Sequence, residues 1–526
     1  RTNDAEKFIL KSIKLDPKNT VSYYNLSILL KDDLRLEEAK NVLESAIKFN
    51  PNYSPFYFLL GEIFFLSRSF DLAFKTYQKG FKINSDDSLL KFGILNSLSI
   101  TCQWNKLETK LYWLEELGIE GNPISPISLM FLESNVSKDF LRAKRFYKEK
   151  YFHSSQIVQI NPKNKIRIGY FSSNFCGHST MILFTRILEL HNKDEFEIYI
   201  YDFGRHQEDE YTSRIKSCAD SYQVVENLSN PELVKLARQD DLDIGVDLMG
   251  YTKNHRAIIF SQRIAPIQVT CLDYPGTTGN ESMDYILSDA VAIPKEDERF
   301  YTEKVIRMPY SHQATDDTLE ASSKVFHRSD LGIEEDSFVF CSFAKNQKIQ
   351  RREFTIWMRL LLKREKSVLW LLESNKEAKA NLIAEAERNG VESSRLIFSK
   401  TIALRDHMSR QSCADLVLDT FNFSGGVMTC LALKTGLPVL TLPGQSYASR
   451  LSACSLSALG LDELIATNEE DYEDKAMRLS ESREKTLELR QKIIDLKESA
   501  KYFNSQQYCH DLESRFKEIW LKSKRF

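Results

Sequence analysis

Asp16-Pro17, Asn50-Pro51 and Asn84-Ser85 lie 34 residues apart, and the same spacing separates Ala5, Ala39 and Ala73, Tyr23 and Tyr57, and Leu26 and Leu60. A period of that length, with turn residues in one register and small residues in another, marks a helix pair repeated in tandem. One pair cannot bury the apolar faces of both its helices, so successive pairs must stack into a solenoid with a concave groove. A generic helical bundle would not need three registers to agree on one period. The pattern fades after Gly118, although Leu107 still occupies the alanine position of the next unit. Arg1 falls inside a unit and no methionine opens the chain, so the sequence reads as a fragment, with further repeats expected before it.

The remaining chain must do something else, because 526 residues are too many for one hydrophobic core and suggest about three or four domains. From Ile166 the pattern changes to short apolar runs alternating with helical segments: Ile166 to Phe171, Glu195 to Tyr201, Ile244 to Leu248, Ile267 to Leu272 and Tyr285 to Leu287. A polar stretch, Gln313 to Asp330, precedes a second series of the same kind, with strands at Phe338 to Phe343, Val368 to Leu372, Leu396 to Phe398, Asp415 to Asp419 and Leu437 to Leu442. Strands alternating with helices imply parallel sheets covered on both faces. The expected organisation is repeats over 1–118, a helical junction with a charged helix from Asp139 to Lys150 over 119–164, an N-terminal α/β lobe over 165–315, a C-terminal α/β lobe over 330–500 and a C-terminal helix over 501–526. The segment Glu469 to Phe526 reads as helical, with Gln506-Gln507-Tyr508 breaking it. Two such sheets in tandem predict a ligand cleft at the strand carboxyl ends, between the lobes.

Charge and cysteine usage exclude several functions. The formal charge is −3 and no basic block is interleaved with aromatics, which argues against nucleic acid as a principal partner. No apolar run reaches the roughly 18 residues of a membrane span. The nine cysteines are scattered, with no CxxC pair, which argues against a disulfide framework and a zinc site and points to a reducing, cytoplasmic compartment.

The stretch Asp415 to Gly444 is one strand, loop, helix and strand unit. Ser424-Gly425-Gly426 opens a helix of about two or three turns that ends at Gly436, the residue type favoured past a helix C-terminus. A small-residue loop feeding a helix N-terminus offers backbone N–H groups to a phosphate or diphosphate, although two glycines also serve where only a tight turn is needed. Four other stretches fall at strand ends. Ser172 to His178 presents His178 as an acid, a base or a ligand for a substrate hydroxyl; Asp273 to Gly279 is a glycine-bearing turn that lets backbone approach a ligand. Ala344 to Lys348 would aim Lys348 into the cleft as a charge for a phosphate leaving group, and Ile402 to Arg410 brings His407 and Arg410 to a base or sugar.

Together with the repeats, the segments GYFSSNFCGH (169–178), VDLMGYT (246–252), APIQVTCLDYPGTTG (265–279), MDYILSDAVAIP (283–294), SVLWLL (367–372), RLIFS (395–399), the unit 425–444 and ASRLSACSL (448–456) resemble the O-GlcNAc transferase and SPINDLY-like family. The resemblance runs from residue 1 to about 520, in order and with similar spacing. It implies an all-α tetratricopeptide solenoid followed by two Rossmann-like α/β lobes of glycosyltransferase B type. It also implies inverting transfer of a sugar, GlcNAc first, from a UDP-sugar co-substrate to Ser or Thr of a protein acceptor guided by the repeats, without metal or other cofactor. A related branch glucosylates asparagine instead. By position, Lys348 falls on the lysine that holds the donor diphosphate, His407 on the histidine against the uridine, Ile402 on the residue whose backbone reads uracil, and His178 on the acceptor-side histidine. Pro275 and Gly276, with Asp273 and Thr277, fall on the sugar and acceptor side; Lys345, Arg410, Gly425, Gly426 and Thr429 complete the expected donor site.

Departures from the family pattern qualify this. Val427 and Met428 stand where two threonines usually cap the diphosphate, leaving Thr429 alone of that run; Leu431 replaces an acid that bonds the ribose; Lys345 replaces a glutamine; and Asp273 replaces a glycine. Each lost hydrogen bond is worth roughly 1 to 3 kcal/mol. Two rival readings therefore stay open: a member that no longer turns over and serves as a repeat-based scaffold, and a transferase with another donor or acceptor.

Overall fold

The computed structural model describes residues 2–151, 158 and 164–523. Arg1, the later part of the expected 119–164 junction and the stretch up to Phe526 lie outside the described residues. The chain forms two compact units: Arg1–Ile124 together with Asn375–Leu382, and Ser125–Ser374 together with Ile383–Phe526.

In the first unit, the helices Thr20–Asp32, Ser54–Leu66 and Ser88–Ile100 begin 34 residues apart, as do Leu36–Phe49, Phe70–Ile83 and the short Trp104–Glu108. Ala39 and Ala73 are wholly buried, which is why nothing larger fits those registers. The turns obey the same period. Leu34, Arg68 and Cys102 all take positive φ, between 53° and 59°, at the equivalent point of each hairpin. No composition signal announces that turn, since none of the three is glycine.

The second unit holds two parallel sheets. The first contains β1 (Ile166–Ser172), β2 (Phe196–Asp202), β3 (Ser221–Val224), β4 (Ile244–Asp247), β5 (Ile267–Thr270), β6 (Tyr285–Ser288) and β7 (Lys304–Arg307), in the order β3-β2-β1-β4-β5-β6-β7. The second contains β8 (Phe338–Ser342), β9 (Ser367–Leu372), β10 (Leu396–Ser399), β11 (Leu416–Leu418) and β12 (Val439–Leu440), in the order β10-β9-β8-β11-β12. Each is doubly wound, with the strand order reversing beside β1 and beside β8, and the carboxyl ends there form the natural ligand crevice. The apolar alternation misses β3 and β7. Both are edge strands of four residues, SYQV and KVIR, in which half the positions are polar.

The helix Ser505–Ser523 corrects the expected break at 506–508, which lies inside it; the chain turns instead at 500–504, where the short 3-10 segment Lys501–Phe503 sits. Although this helix follows the second lobe in sequence, its Tyr508, Cys509, Leu512, Phe516 and Ile519 are buried in the core of the first, against β1, β2, β4 and the helix Ser179–Leu190. Gln506, Gln507 and Tyr508 read as a break because two of the three are polar; in the structure Tyr508 is the inward-facing residue and its hydroxyl donates to His312 O at 2.7 Å.

Candidate functional site

The glycine loop is built by competition for its own N–H groups. Asp419 directly follows β11, and its buried carboxylate accepts from Gly425 N at 2.9 Å, Thr420 N at 2.9 Å and the Thr441 hydroxyl at 2.7 Å. Ser424 N donates to Ala448 O at 3.0 Å. The expectation that Ser424 and Gly425 keep free amides is therefore corrected: both are used to hold the loop. What remains for an anion is the head of the helix Val427–Lys434, where Val427, Met428 and Thr429 have no intrahelical acceptor. A β-carbon on Gly425 would lie 2.6 Å from Thr429 Oγ1, so this glycine is required by close packing. Gly426 caps the helix and its carbonyl accepts from Gln313 Nε2 at 3.2 Å.

Thr429 is also reassigned. It is 2% exposed, and its hydroxyl lies 2.7 Å from that of Ser452, which donates to Gly425 O at 2.8 Å. Its hydroxyl braces the loop from behind. In front, Val427 and Met428 pack with Ile182, Leu319, Leu404, Met408 and Leu431 into one apolar cluster. Three of the departures from the family pattern, Val427, Met428 and Leu431, thus form a packed surface.

Lys348 ends the 3-10 turn Asn346–Lys348 that follows β8. Its ammonium donates to Ser424 O at 3.2 Å and lies 4.1 Å from the centroid of the Phe423 ring. Burial pushes its pKa down to about 8; Asp419 opposes that shift and the positive charge of Lys345 adds to it. Lys345 is exposed at the start of the same turn.

Farther along, His407 and Arg410 are buried, at 7% and 4% exposure. Arg410 Nε donates to His407 Nδ1 at 2.9 Å, and its Nη1 to Lys400 O at 2.9 Å. The His407 ring stands edge-to-face on Phe343, at 4.8 Å. Burial, with the neighbouring Arg410 charge, holds the imidazole down to about 4, so it is neutral. The pair fixes the loop that carries the half-buried Ile402, rather than projecting from it.

In the first lobe, His178 caps the helix Ser179–Leu190 and is half-buried. Its Nδ1 lies 3.1 Å from the Thr180 hydroxyl, which donates to Asp273 Oδ1 at 3.0 Å. Burial, then Lys345, lowers the His178 pKa, against Asp273; burial raises that of Asp273, opposed by His178 and Lys345. The Lys345 charge, on the second lobe, thus acts on both members of the pair in the first. Pro275 and Gly276 are buried in the turn beyond Asp273, where a β-carbon on Gly276 would meet Met130 at 2.9 Å. Thr277 is corrected: it is 3% exposed and its hydroxyl donates to Glu303 Oε2 at 2.6 Å, which takes it out of any sugar contact.

Sequence reasoning missed Thr180, Asp247 and Asp419. Asp247 closes β4; one of its oxygens accepts from Met249 N at 2.9 Å and Gly250 N at 3.2 Å, the other is buried without a partner, and burial pushes the carboxyl up to about 7. Both aspartates sit at strand carboxyl ends, the one signal that would have found them. The structure also gathers two buried trios that sequence distance concealed, His191 with Cys509 and Glu513, and Asp289 with His312 and Cys454. In each, the ionisable groups bond one another: His191 Nδ1 is 3.0 Å from Glu513 and His312 Nδ1 is 2.6 Å from Asp289.

With this geometry in view, comparison with known proteins is decisive. The model of the family described as glycosyl transferase family 41 matches residues 140–319 and 310–512, and a tetratricopeptide repeat model matches residues 21–53. The chain belongs to glycosyltransferase family 41. Among curated proteins of that kind it is similar to the probable UDP-N-acetylglucosamine-peptide N-acetylglucosaminyltransferase SEC of Arabidopsis thaliana, 30% identical over 68% of this chain and 37% of that protein. It is also similar to the UDP-N-acetylglucosamine-peptide N-acetylglucosaminyltransferase of Caenorhabditis elegans, 25% identical over 68% of this chain and 41% of that one. This family 41 chain therefore spans about two-fifths of the length of those relatives. A solved Thermobaculum terrenum O-GlcNAc transferase mutant shares the fold, with a TM-score of 0.77 at 22% identity over 99% of this chain and 98% of that one. Among the described residues no helix is long and apolar enough to cross a membrane.

Proposed function

We propose that this family 41 chain transfers a sugar, with GlcNAc the first candidate, from a UDP-sugar to Ser or Thr of a protein acceptor held by the repeats, with inversion at the anomeric carbon. The observation that carries this reading is the placement of Lys348: a half-buried ammonium between the glycine loop and the charged turn, beside a helix head whose amides lack intrahelical partners. As the acceptor oxygen attacks the anomeric carbon from the opposite face, the bond to the diphosphate breaks and negative charge grows on the departing oxygen. Lys348 and the helix head stabilise that charge and take the part that a divalent cation plays elsewhere. Lys345 adds a second positive charge on the same side.

The test is calorimetric titration with UDP of the wild-type chain and of Lys348→Ala, followed by mass analysis of acceptor proteins incubated with UDP-GlcNAc. Micromolar binding that weakens in the variant, and a mass gain of one N-acetylhexosamine on Ser or Thr, support the reading. No binding at millimolar UDP sinks it. A second reading, a chain of this fold that binds another donor or none, rests on the apolar cluster of Val427, Met428 and Leu431 with Ile182 and Leu319. Binding that appears only after Val427→Thr and Met428→Thr would decide for it.

A further inference from the structure

An ammonium that is to receive a diphosphate must stay charged without being tied to a carboxylate, and the surroundings of Lys348 meet both demands. Asp419 is the acid whose charge acts on it. Both oxygens of that acid are already engaged, Oδ1 by Thr420 N and Gly425 N and Oδ2 by the Thr441 hydroxyl. The one hydrogen bond that the described residues give the ammonium is to Ser424 O, at 3.2 Å. Its other protons are left for a ligand.

What stands against the charge is a ring. Lys348 Nζ lies 4.1 Å from the centroid of Phe423, a distance at which the nitrogen must be over the face, because approach through the edge would drive it into the ring hydrogens. The face is the negative part of the ring quadrupole, so it attracts an ammonium without neutralising it. A carboxylate in that place would form a salt bridge that the diphosphate would have to break. The plane of the ring is set by a residue far off in the sequence. Phe131, in the segment that follows the repeats, stacks on Phe423 with centroids 4.8 Å apart and planes 14° from parallel. The Phe131 carbonyl accepts from Gln350 Nε2 at 2.9 Å and from Asn422 Nδ2 at 3.4 Å. Gln350 lies two residues after Lys348 and Asn422 directly precedes Phe423. One backbone carbonyl thus joins the turn that carries the ammonium to the loop that carries the ring. Asn422 is fixed in turn by Arg352, whose Nη2 donates to its Oδ1 at 3.0 Å.

We propose, resting on the donor-site reading above, that Phe423 is a positioning residue for Lys348, its ring face holding the ammonium beside the glycine loop charged and free of a carboxylate partner, and that Phe131 positions Phe423. The segment after the repeats thereby becomes part of the donor site. Burial opposes the Lys348 charge most; Asp419 favours it, and Lys345, at the start of the same turn, opposes it. The ring acts on the side of Asp419. Weakening its face therefore lowers the pH at which Lys348 gives up its proton, and the alkaline fall of UDP affinity moves down with it.

The experiment uses the full chain with lysines labelled by 13C at the ε-carbon, the Lys348 signal being assigned by its loss in Lys348→Arg. It titrates near 8, apart from exposed lysines at about 10.4. The titration, and calorimetry with UDP from pH 6 to 9, are run on wild type, Phe423→Tyr, Phe423→Leu, Phe131→Leu and a chain with a trifluorinated phenylalanine at position 423. The fluorines keep the shape of the ring and withdraw negative charge from its face, which a role in packing alone would not register. The expected result is a Lys348 midpoint lower by about half a pH unit or more in the trifluorinated chain and in Phe423→Leu, with an equal shift in the UDP profile. Phe423→Tyr keeps the wild-type midpoint and Phe131→Leu falls between. A trifluorinated chain that titrates as wild type overturns the role of Phe423, and a Phe131→Leu midpoint equal to wild type overturns that of Phe131. A wild-type chain that binds no UDP overturns the donor-site reading instead; the two failures are told apart because the Lys348 titration is read without nucleotide.

Discussion

Gly425 N–H donates to Asp419 Oδ1 at 2.9 Å, across the loop that separates the end of β11 from the helix Val427–Lys434. This bond turns an open glycine loop into a rigid bracket, closed on its other side by the chain of hydroxyls from Thr429 through Ser452 to Gly425 O. In the proposed function the anion is left to the helix head and to Lys348, and the consequences can be measured residue by residue.

Lys348 loses its charge as pH rises through about 8 in the free protein. UDP affinity of the wild-type chain is therefore expected to fall between pH 7 and 9, while Lys348→Arg, which stays charged, shows a flat profile. Lys348→Met should weaken binding by roughly 10- to 100-fold at pH 7, the worth of one charge-assisted hydrogen bond. Calorimetric titration across that pH range checks all three.

Thr429 braces the loop, so Thr429→Val and Ser452→Ala should each lower stability by about 1 to 2 kcal/mol, and the double variant by less than the sum, because the two hydroxyls share one bond. Urea unfolding gives the values. If Thr429 instead touched the donor, Thr429→Val would reduce UDP affinity while Ser452→Ala would not.

His407 is kept neutral by burial, with a pKa of about 4 against an unfolded value near 6.5. Between those values the unfolded chain binds the proton and the folded chain does not. The contribution of roughly 3 kcal/mol is therefore present above pH 6.5 and lost as pH falls toward 4. Urea midpoints of the wild type and His407→Gln at pH 7 and pH 5 should converge as the pH is lowered. UDP affinity should show no step near pH 6.5 from this residue.

Phe516 is 1% exposed, in the core of the first lobe, on a helix that follows the second in sequence. Phe516→Ala is expected to cost about 3 to 5 kcal/mol and to destabilise the first lobe. Tyr502→Ala, whose ring packs in the core of the second lobe, should act there instead. Hydrogen exchange resolved by segment distinguishes the two.

Much of this was legible from residues near one another in the chain. The 34-residue period placed the helix pairs, and apolar runs placed ten of the twelve strands, because periodicity and burial on both faces act within a few residues. The edge strands β3 and β7 were not legible, since an edge needs only half the apolar content. The seat of the helix Ser505–Ser523 was hidden too: its amphipathic stripe says that one face is buried but not against what.

The site divides the same way. Lys348, His178 and the glycine loop announced themselves by their positions at strand ends, and that much the sequence determined. Which of their atoms face a ligand was decided only by the tertiary structure, because a polar group deep in the fold goes to whichever partner the fold brings nearest. Thr277 goes to Glu303, Thr429 to Ser452, Gly425 N–H to Asp419 and Thr180 to Asp273, pairs separated by 26, 23, 6 and 93 residues. Three of these tie a candidate group into the fold. A hydrogen-bond donor has one proton to give, and its destination is set by distances of about 3 Å that no local pattern encodes.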